Sequence, residues 1–141
     1  MASIQHLVKA HAITASQTIA QRGKTHKLPD TTEGLIVEAN FVYSGGGTTA
    51  IAYVQTSLDG GNNWIDIMAF NFATASARKI LAVNTETGIV AAVTPAVGAL
   101  TANTAVTGII GDRVRCMVVT TGTYTGTNTL DLYMRIEDEV R

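Results

Sequence analysis

The chain has 141 residues, about one ordinary domain. Only 15% of them are charged, against about 25% in typical soluble domains, and β-branched Thr, Val and Ile are abundant. Thirteen glycines, two prolines and a net charge of −1 exclude a helical bundle, a coiled coil, a disordered tail and a global field that would draw nucleic acid or anionic membrane.

Residues 1–30 read as an N-terminal arm. The start, Met1-Ala2-Ser3-Ile4-Gln5-His6, lacks the basic residues and apolar stretch of a signal peptide, so export by that route is not expected. Ile4 to Ile19 is Ala-rich and weakly patterned. It predicts an extended, partly stranded arm, with a short helix over Leu7 to Ala20 as the alternative. The basic run Arg22-Gly23-Lys24-Thr25-His26-Lys27 follows, and Leu28-Pro29-Asp30 closes the segment like a turn. The run reads first as a solvated loop, with Arg22, Lys24 and Lys27 as candidate contacts to an acidic protein surface. Without interleaved aromatics, nucleic acid is not the expected partner. His6, His11 and His26 are the three histidines, and a strand would send His6 and His11 to opposite faces, so no metal site is expected.

Residues 31–141 predict one all-β domain, a β-sandwich of jelly-roll type. Leu35, Val37, Ala39, Phe41 and Tyr43 share one strand face. Ser44-Gly45-Gly46-Gly47 turns the chain into a strand over Thr48 to Ser57, and Trp64 to Phe70 follows. Shorter strands are expected at Arg78 to Val83, Ile89 to Val93 and Val106 to Ile110, with a loop around Pro95 to Asn103. Thr87 to Gly111 carries no charge, but its glycines, proline and threonines argue against a membrane span. Asp112 to Thr121 alternates Val114, Cys116 and Val118 with Arg113, Arg115 and Met117. The last strand is the clearest, with Leu130, Leu132, Met134 and Ile136 inward. No repeat of 20–50 residues is present, which excludes propellers and solenoids.

The sharpest local motif is Ser57-Leu58-Asp59-Gly60-Gly61-Asn62-Asn63-Trp64. It resembles the Asp-box hairpin of sialidases and many other β proteins, with Asn63 where Thr is usual. Asp59 would accept from turn amides, Gly61 would take a positive φ, and Trp64 would pin the hairpin to the body. Ser57, Asp59, Gly61 and Trp64 are therefore structural candidates. The box occurs once, in a chain too short for a sialidase propeller.

No catalytic pattern accompanies it. Glu38, Asp66, Asp112 and Asp131 lie on strands or their starts, and outward surface charge is the expected role rather than a glycosidase pair. Cys116 is the single cysteine, so an intramolecular disulfide and a cysteine zinc site are excluded; a buried, inert thiol is expected. No nucleophile elbow occurs, and Ser44 to Gly47 lacks the Lys-Ser/Thr of a P-loop. No cofactor and no enzymatic activity are expected.

Tyr53-Val54-Gln55-Thr56-Ser57-Leu58-Asp59-Gly60-Gly61-Asn62-Asn63-Trp64-Ile65-Asp66-Ile67 is similar to small virion structural proteins of tailed bacteriophages. Ile110-Gly111-Asp112-Arg113-Val114-Arg115 and Thr120-Thr121-Gly122-Thr123-Tyr124 extend the similarity, which spans residues 35–137 and leaves the arm unmatched. The resemblance implies a capsid decoration or cement subunit, located in the virion and bound to the major capsid protein or other virion proteins. It also implies a homo-oligomer, with a trimer favoured, and no membrane partner. The alternatives are a neck or tail component, or a carbohydrate-binding fibre sandwich in which Trp64, Tyr43, Tyr53, Tyr124 or Tyr133 would stack on sugars.

Overall fold

A computed structural model of the chain describes residues 3–14, 16–19, 25–86 and 88–138. In chain order the first strands are β1 (Ser3–Ala12), β2 (Gln17–Ile19), β3 (His26–Lys27), β4 (Thr32–Val42), β5 (Gly45–Gly46) and β6 (Thr49–Ser57). They are followed by β7 (Ile65–Asn71), β8 (Ala77–Asn84), β9 (Thr104–Ala105), β10 (Arg113–Thr121), β11 (Tyr124–Thr125) and β12 (Thr129–Asp138). Among the described residues no helix is long and apolar enough to cross a membrane.

Alternation builds the core. Leu130, Leu132, Met134 and Ile136 of β12 are buried, as are Leu35, Val37, Ala39 and Phe41 of β4. The antiparallel register sets Leu132 against Ala39 and Met134 against Val37, so both rows fall on one sheet face. Opposite them stand Val114, Cys116 and Val118 of β10, also buried. The first sheet runs β1-β12-β4-β8 and the second β2-β10-β6-β7-β9, with β3 also on β10. The result is an all-β sandwich.

With the two-residue pieces set aside, the eight principal strands lie in the order 1-8-3-6 in one sheet and 2-7-4-5 in the other. First pairs with last, second with seventh, third with sixth and fourth with fifth, alternately in each sheet. This is a long hairpin wound across two layers.

The N-terminal segment is extended and stranded as expected, with no helix over its described residues, but it packs into the sandwich instead of standing apart as an arm. β1 pairs with β12 along its length, from Ser3 opposite Ile136 to Ala12 opposite Thr129, with two irregularities. β2 and β3 both pair with β10. Leu7, Val8, Ile13 and Leu28 are buried in the shared core. The reason is that β12 and β10 would otherwise present open backbone edges, and this segment fills both. Arg22 and Lys24 lie outside the described residues, whereas Lys27 is exposed on β3.

Two further strand expectations fail. Residues 89–93 form an exposed loop, and the Val106 to Ile110 strand shrinks to the two-residue β9 just before it. Residues 89–93 pair with no described strand. The amides of Val106 and Gly108 bond two different strands, at the Ile67 and Asn84 carbonyls, so no continuous ladder forms and β-propensity alone does not order either stretch.

Aromatic rings close one end of the sandwich. Phe41 lies 5.3 Å from Phe72, and Tyr124 meets Phe41 edge-on at 6.2 Å while its hydroxyl donates to the Ala73 carbonyl at 2.7 Å. Gly47 takes φ +73° under that ring, and any side chain there would collide with Tyr124. The glycine run expected as a plain turn thus also pairs, as β5 with β11.

Leu132 is fully buried, so Leu132→Ala is expected to lower stability by about 2–5 kcal/mol in chemical denaturation. Deleting residues 1–14 removes β1 and the core side chains Leu7, Val8 and Ile13. The truncated chain is expected to lose its cooperative unfolding transition rather than persist as a stable sandwich.

Candidate functional site

The hairpin between β6 and β7 forms as its spacing predicts. The buried Ser57 hydroxyl donates to Asp59 Oδ1 at 2.8 Å and accepts from the Gly61 amide at 2.8 Å. Asp59 Oδ1 accepts from the Asn63 amide at 2.9 Å, and its Oδ2 accepts from Asn63 Nδ2 at 2.6 Å. Asn63, the departure from the Asp-box pattern, therefore supplies a side-chain donor. Gly61 has φ +98° and its carbonyl accepts from Trp64 Nε1 at 3.1 Å. These hydrogen bonds, first those from the Asn63 backbone and side chain and then that from Ser57, hold the Asp59 carboxyl below its ordinary 3.8, at about 2.

Trp64 leads into a second network. The Arg115 guanidinium lies 4.3 Å from the centroid of the indole, and its Nε donates to Gln55 Oε1 at 2.8 Å. Gln55 Nε2 in turn donates to Asp66 Oδ1 at 2.8 Å. Burial draws the Arg115 guanidinium below its ordinary value, and nearby Asp66 opposes that shift. The β6–β7 register shifts between Val54 and Gln55, so Met68 packs with Val54 in the core while Asp66 stands beside Gln55 on the other face.

Asp66 is buried, not the outward surface charge that its strand position predicts. Its Oδ1 also accepts from the Gly98 amide at 3.0 Å, and its Oδ2 accepts from the amides of Ala99 at 2.9 Å and Leu100 at 3.1 Å. The Asp66 amide donates back to the Ala96 carbonyl at 2.8 Å. One carboxylate thus holds residues 96–100 against the second sheet through charge-assisted bonds.

The chain leading into this segment is apolar where it faces outward. Val90 is fully exposed, and Ile89, Val93 and Val97 are each at least 43% exposed, alongside Leu58 of the hairpin at 64%. Two shallow grooves of about 420 and 440 Å³ run between the loop and the hairpin, bordered by Ile65 and Pro95. The lack of charge is legible in the sequence, whereas exposure depends on which surfaces the fold covers.

The other candidates do not converge. Glu38 pairs with Arg78 at 3.0 Å, Asp112 with Arg113 at 3.4 Å, and Asp131 accepts from the Ala10 amide at 2.6 Å. His26 Nε2 lies 3.1 Å from the His6 carbonyl, while His11 is buried. Among the described residues no three His, Cys, Asp or Glu form a metal-holding group. Cys116 is in the core, where burial raises its thiol far above the ordinary range. Tyr53 and Tyr124 are buried, Tyr43 is half-buried, and Tyr133 is tilted against His6 at 4.6 Å. Trp64 is covered by Arg115. These rings make no common platform for a sugar.

Comparison with protein-family models, curated proteins and solved structures gives no match.

Asp59→Ala is expected to lower the unfolding midpoint, because the turn amides lose their acceptor. Its folded value lies below the unfolded one, so the stabilisation is complete above pH about 4 and lost as pH falls toward about 2. The gap in stability between wild type and variant should therefore narrow across that window. Asp66→Ala leaves Gln55 and three backbone amides without their acceptor. A loss of about 1–3 kcal/mol is expected, with faster proteolytic cleavage within residues 88–103; an unchanged cleavage rate would show that the loop is held by other contacts.

Proposed function

We propose that this chain is a non-enzymatic structural subunit of a virion, in the first instance a capsid decoration or cement protein that attaches to the major capsid protein. The observation that carries the reading is the uncharged run of exposed apolar side chains over residues 89–97, which leads into residues 96–100, bonded to the buried Asp66 carboxylate. A preorganised apolar surface suits a permanent protein contact, because little ordering entropy opposes docking. The strand order, which we read as that of a jelly roll, and the resemblance over residues 53–67 support the same class. Lys27, exposed beside Arg113, adds a cationic contact to that attachment. A neck or tail subunit would use the same loop and is the second reading. A sugar-binding fibre module is less well supported, since Tyr53 and Tyr124 are buried and Tyr43, Trp64 and Tyr133 are half-buried.

The test is co-sedimentation of the purified chain with undecorated heads of the virus whose genome carries it. Val90→Asp and Val97→Asp would place a carboxylate in the docked interface, and each is expected to weaken attachment roughly tenfold or more. Equal attachment of wild type and both variants would remove the loop from the contact. Attachment to purified tails but not heads would move the subunit to the neck or tail.

A further inference from the structure

β8 ends the first sheet, pairing with β4 on one side and with no described strand on the other. The Thr85 amide donates to the Glu33 carbonyl at 2.9 Å, and the same register sets Val83 against Leu35 and Leu81 against Val37. Bonded pairs alternate along an antiparallel ladder, so the odd-numbered residues of β8 turn their amides and carbonyls toward β4. The even-numbered residues turn theirs outward. Asn84 shows this directly: its amide donates to Thr107 Oγ1 at 3.0 Å and its carbonyl accepts from the Gly108 amide at 2.8 Å. That contact covers only the end of the strand. Arg78, Ile80 and Ala82 keep outward donors and acceptors along an edge with no bulge.

Natural edges are commonly guarded by a lysine, a proline or a bulge. The lysine of β8 is engaged elsewhere. Lys79 Nζ donates to the Asn71 carbonyl at 2.6 Å and to Asn103 Oδ1 at 3.0 Å, and it lies 5.4 Å from the Phe72 ring centroid. Its charge is drawn into the seam between the sheets. Beside it an open groove of about 400 Å³, bordered by Phe70, Ile80 and Leu81, leaves room along the edge.

We infer that β8 is a joining edge for a second copy of this chain, paired antiparallel about a twofold axis through Ile80. The register is self-complementary. Ile80, 57% exposed, meets the partner's Ile80, and the long Arg78 meets the partner's small Ala82. All three facing pairs are bonded pairs, because every one joins even-numbered residues. No like charges stand directly opposite each other. On the outer face Glu38 is beside Ile80 in register and 3.0 Å from Arg78, so acid and base flank the apolar centre in both copies. The joint turns two four-stranded sheets into one continuous sheet. A contact of so few residues buries less than the ~800 Å² per partner of a standard interface, so the dimer exchanges rapidly and depends on concentration. This inference does not rest on the virion reading, because it uses none of the apolar loop.

The experiment is amide hydrogen exchange by NMR together with sedimentation, on the full chain across a range of concentrations. The Ile80 and Ala82 amides should exchange freely when dilute and gain protection as the mass rises toward a dimer, while the Leu81 and Val83 amides stay protected throughout. Ile80→Pro removes an amide that β4 does not use and is expected to abolish the dimer with the sandwich intact. Should proline disturb β8 itself, Ile80→Lys places two ammonium groups at the axis and is expected to abolish the dimer as well. Val90→Asp, in the apolar loop, should leave it unchanged. A chain that stays monomeric at high concentration overturns the inference. So does an oligomer in which the Ile80 and Ala82 amides remain unprotected, or a dimer that survives Ile80→Lys.

Discussion

A carboxylate removed from water is tolerable only where donors replace its hydration, and Asp66 meets that condition in a way that organises its whole surroundings. Gln55 supplies one donor from the neighbouring strand, and the amides of Gly98, Ala99 and Leu100 supply the others. The dependence is mutual. Without the loop the charge would be stranded, and without the charge three consecutive amides would lack their acceptor. Gln55 passes the constraint on to Arg115, and Arg115 lies over Trp64 at the foot of the hairpin. Sheet, hairpin and loop are therefore one coupled polar network beneath an apolar outer surface.

That coupling explains why β6 is buried on both faces. Ala52 and Val54 look into the core, while Tyr53 and Gln55 on the opposite face are buried as well. An antiparallel sheet commonly leaves one face to water. Here residues 96–100 are tied across that second face, and the exposed valines beyond them become its outermost apolar layer. Bonds to Asp66 anchor the end of this loop, and without them a loop of this length would lose order on entropic grounds.

The first sheet shows the complementary arrangement. One of its edges is β1, irregularly paired to β12 and followed by segments that cross to β10. The other is β8, regular and open along most of its length. Lys79 holds this second margin to β7 through the Asn71 carbonyl, which serves internal cohesion at the expense of edge protection. The apolar loop and the β8 edge share no residue, so the molecule offers two surfaces of different chemistry, side-chain contact in one case and main-chain hydrogen bonding in the other.

Local pattern was enough for the elements whose burial follows a simple period. Leu130 to Ile136, Leu35 to Phe41 and Val114 to Val118 alternate cleanly, and each occupies the face that alternation predicts. The hairpin from Ser57 to Trp64 was equally legible, because the side-chain hydrogen bonds of Ser57, Asp59 and Trp64 link residues at most four apart. Other features depended on which distant segments meet. Ser3 pairs with Ile136 across nearly the whole chain, and no weak Ala-rich pattern near the N-terminus could announce that partner. Ile89 to Val93 has strand-forming residues but pairs with no described strand. Asp66 looked like any strand carboxylate until a register shift beside Gln55 and the arrival of three loop amides decided its burial. By itself the sequence determined the all-β class, the core faces of the regular strands and the Asp59 turn, since side-chain period and turn chemistry are local. Only the tertiary structure decided the place of the N-terminal segment, the role of Asp66 and the exposure of the apolar loop, because pairing and burial are properties of the surfaces that the whole fold brings together.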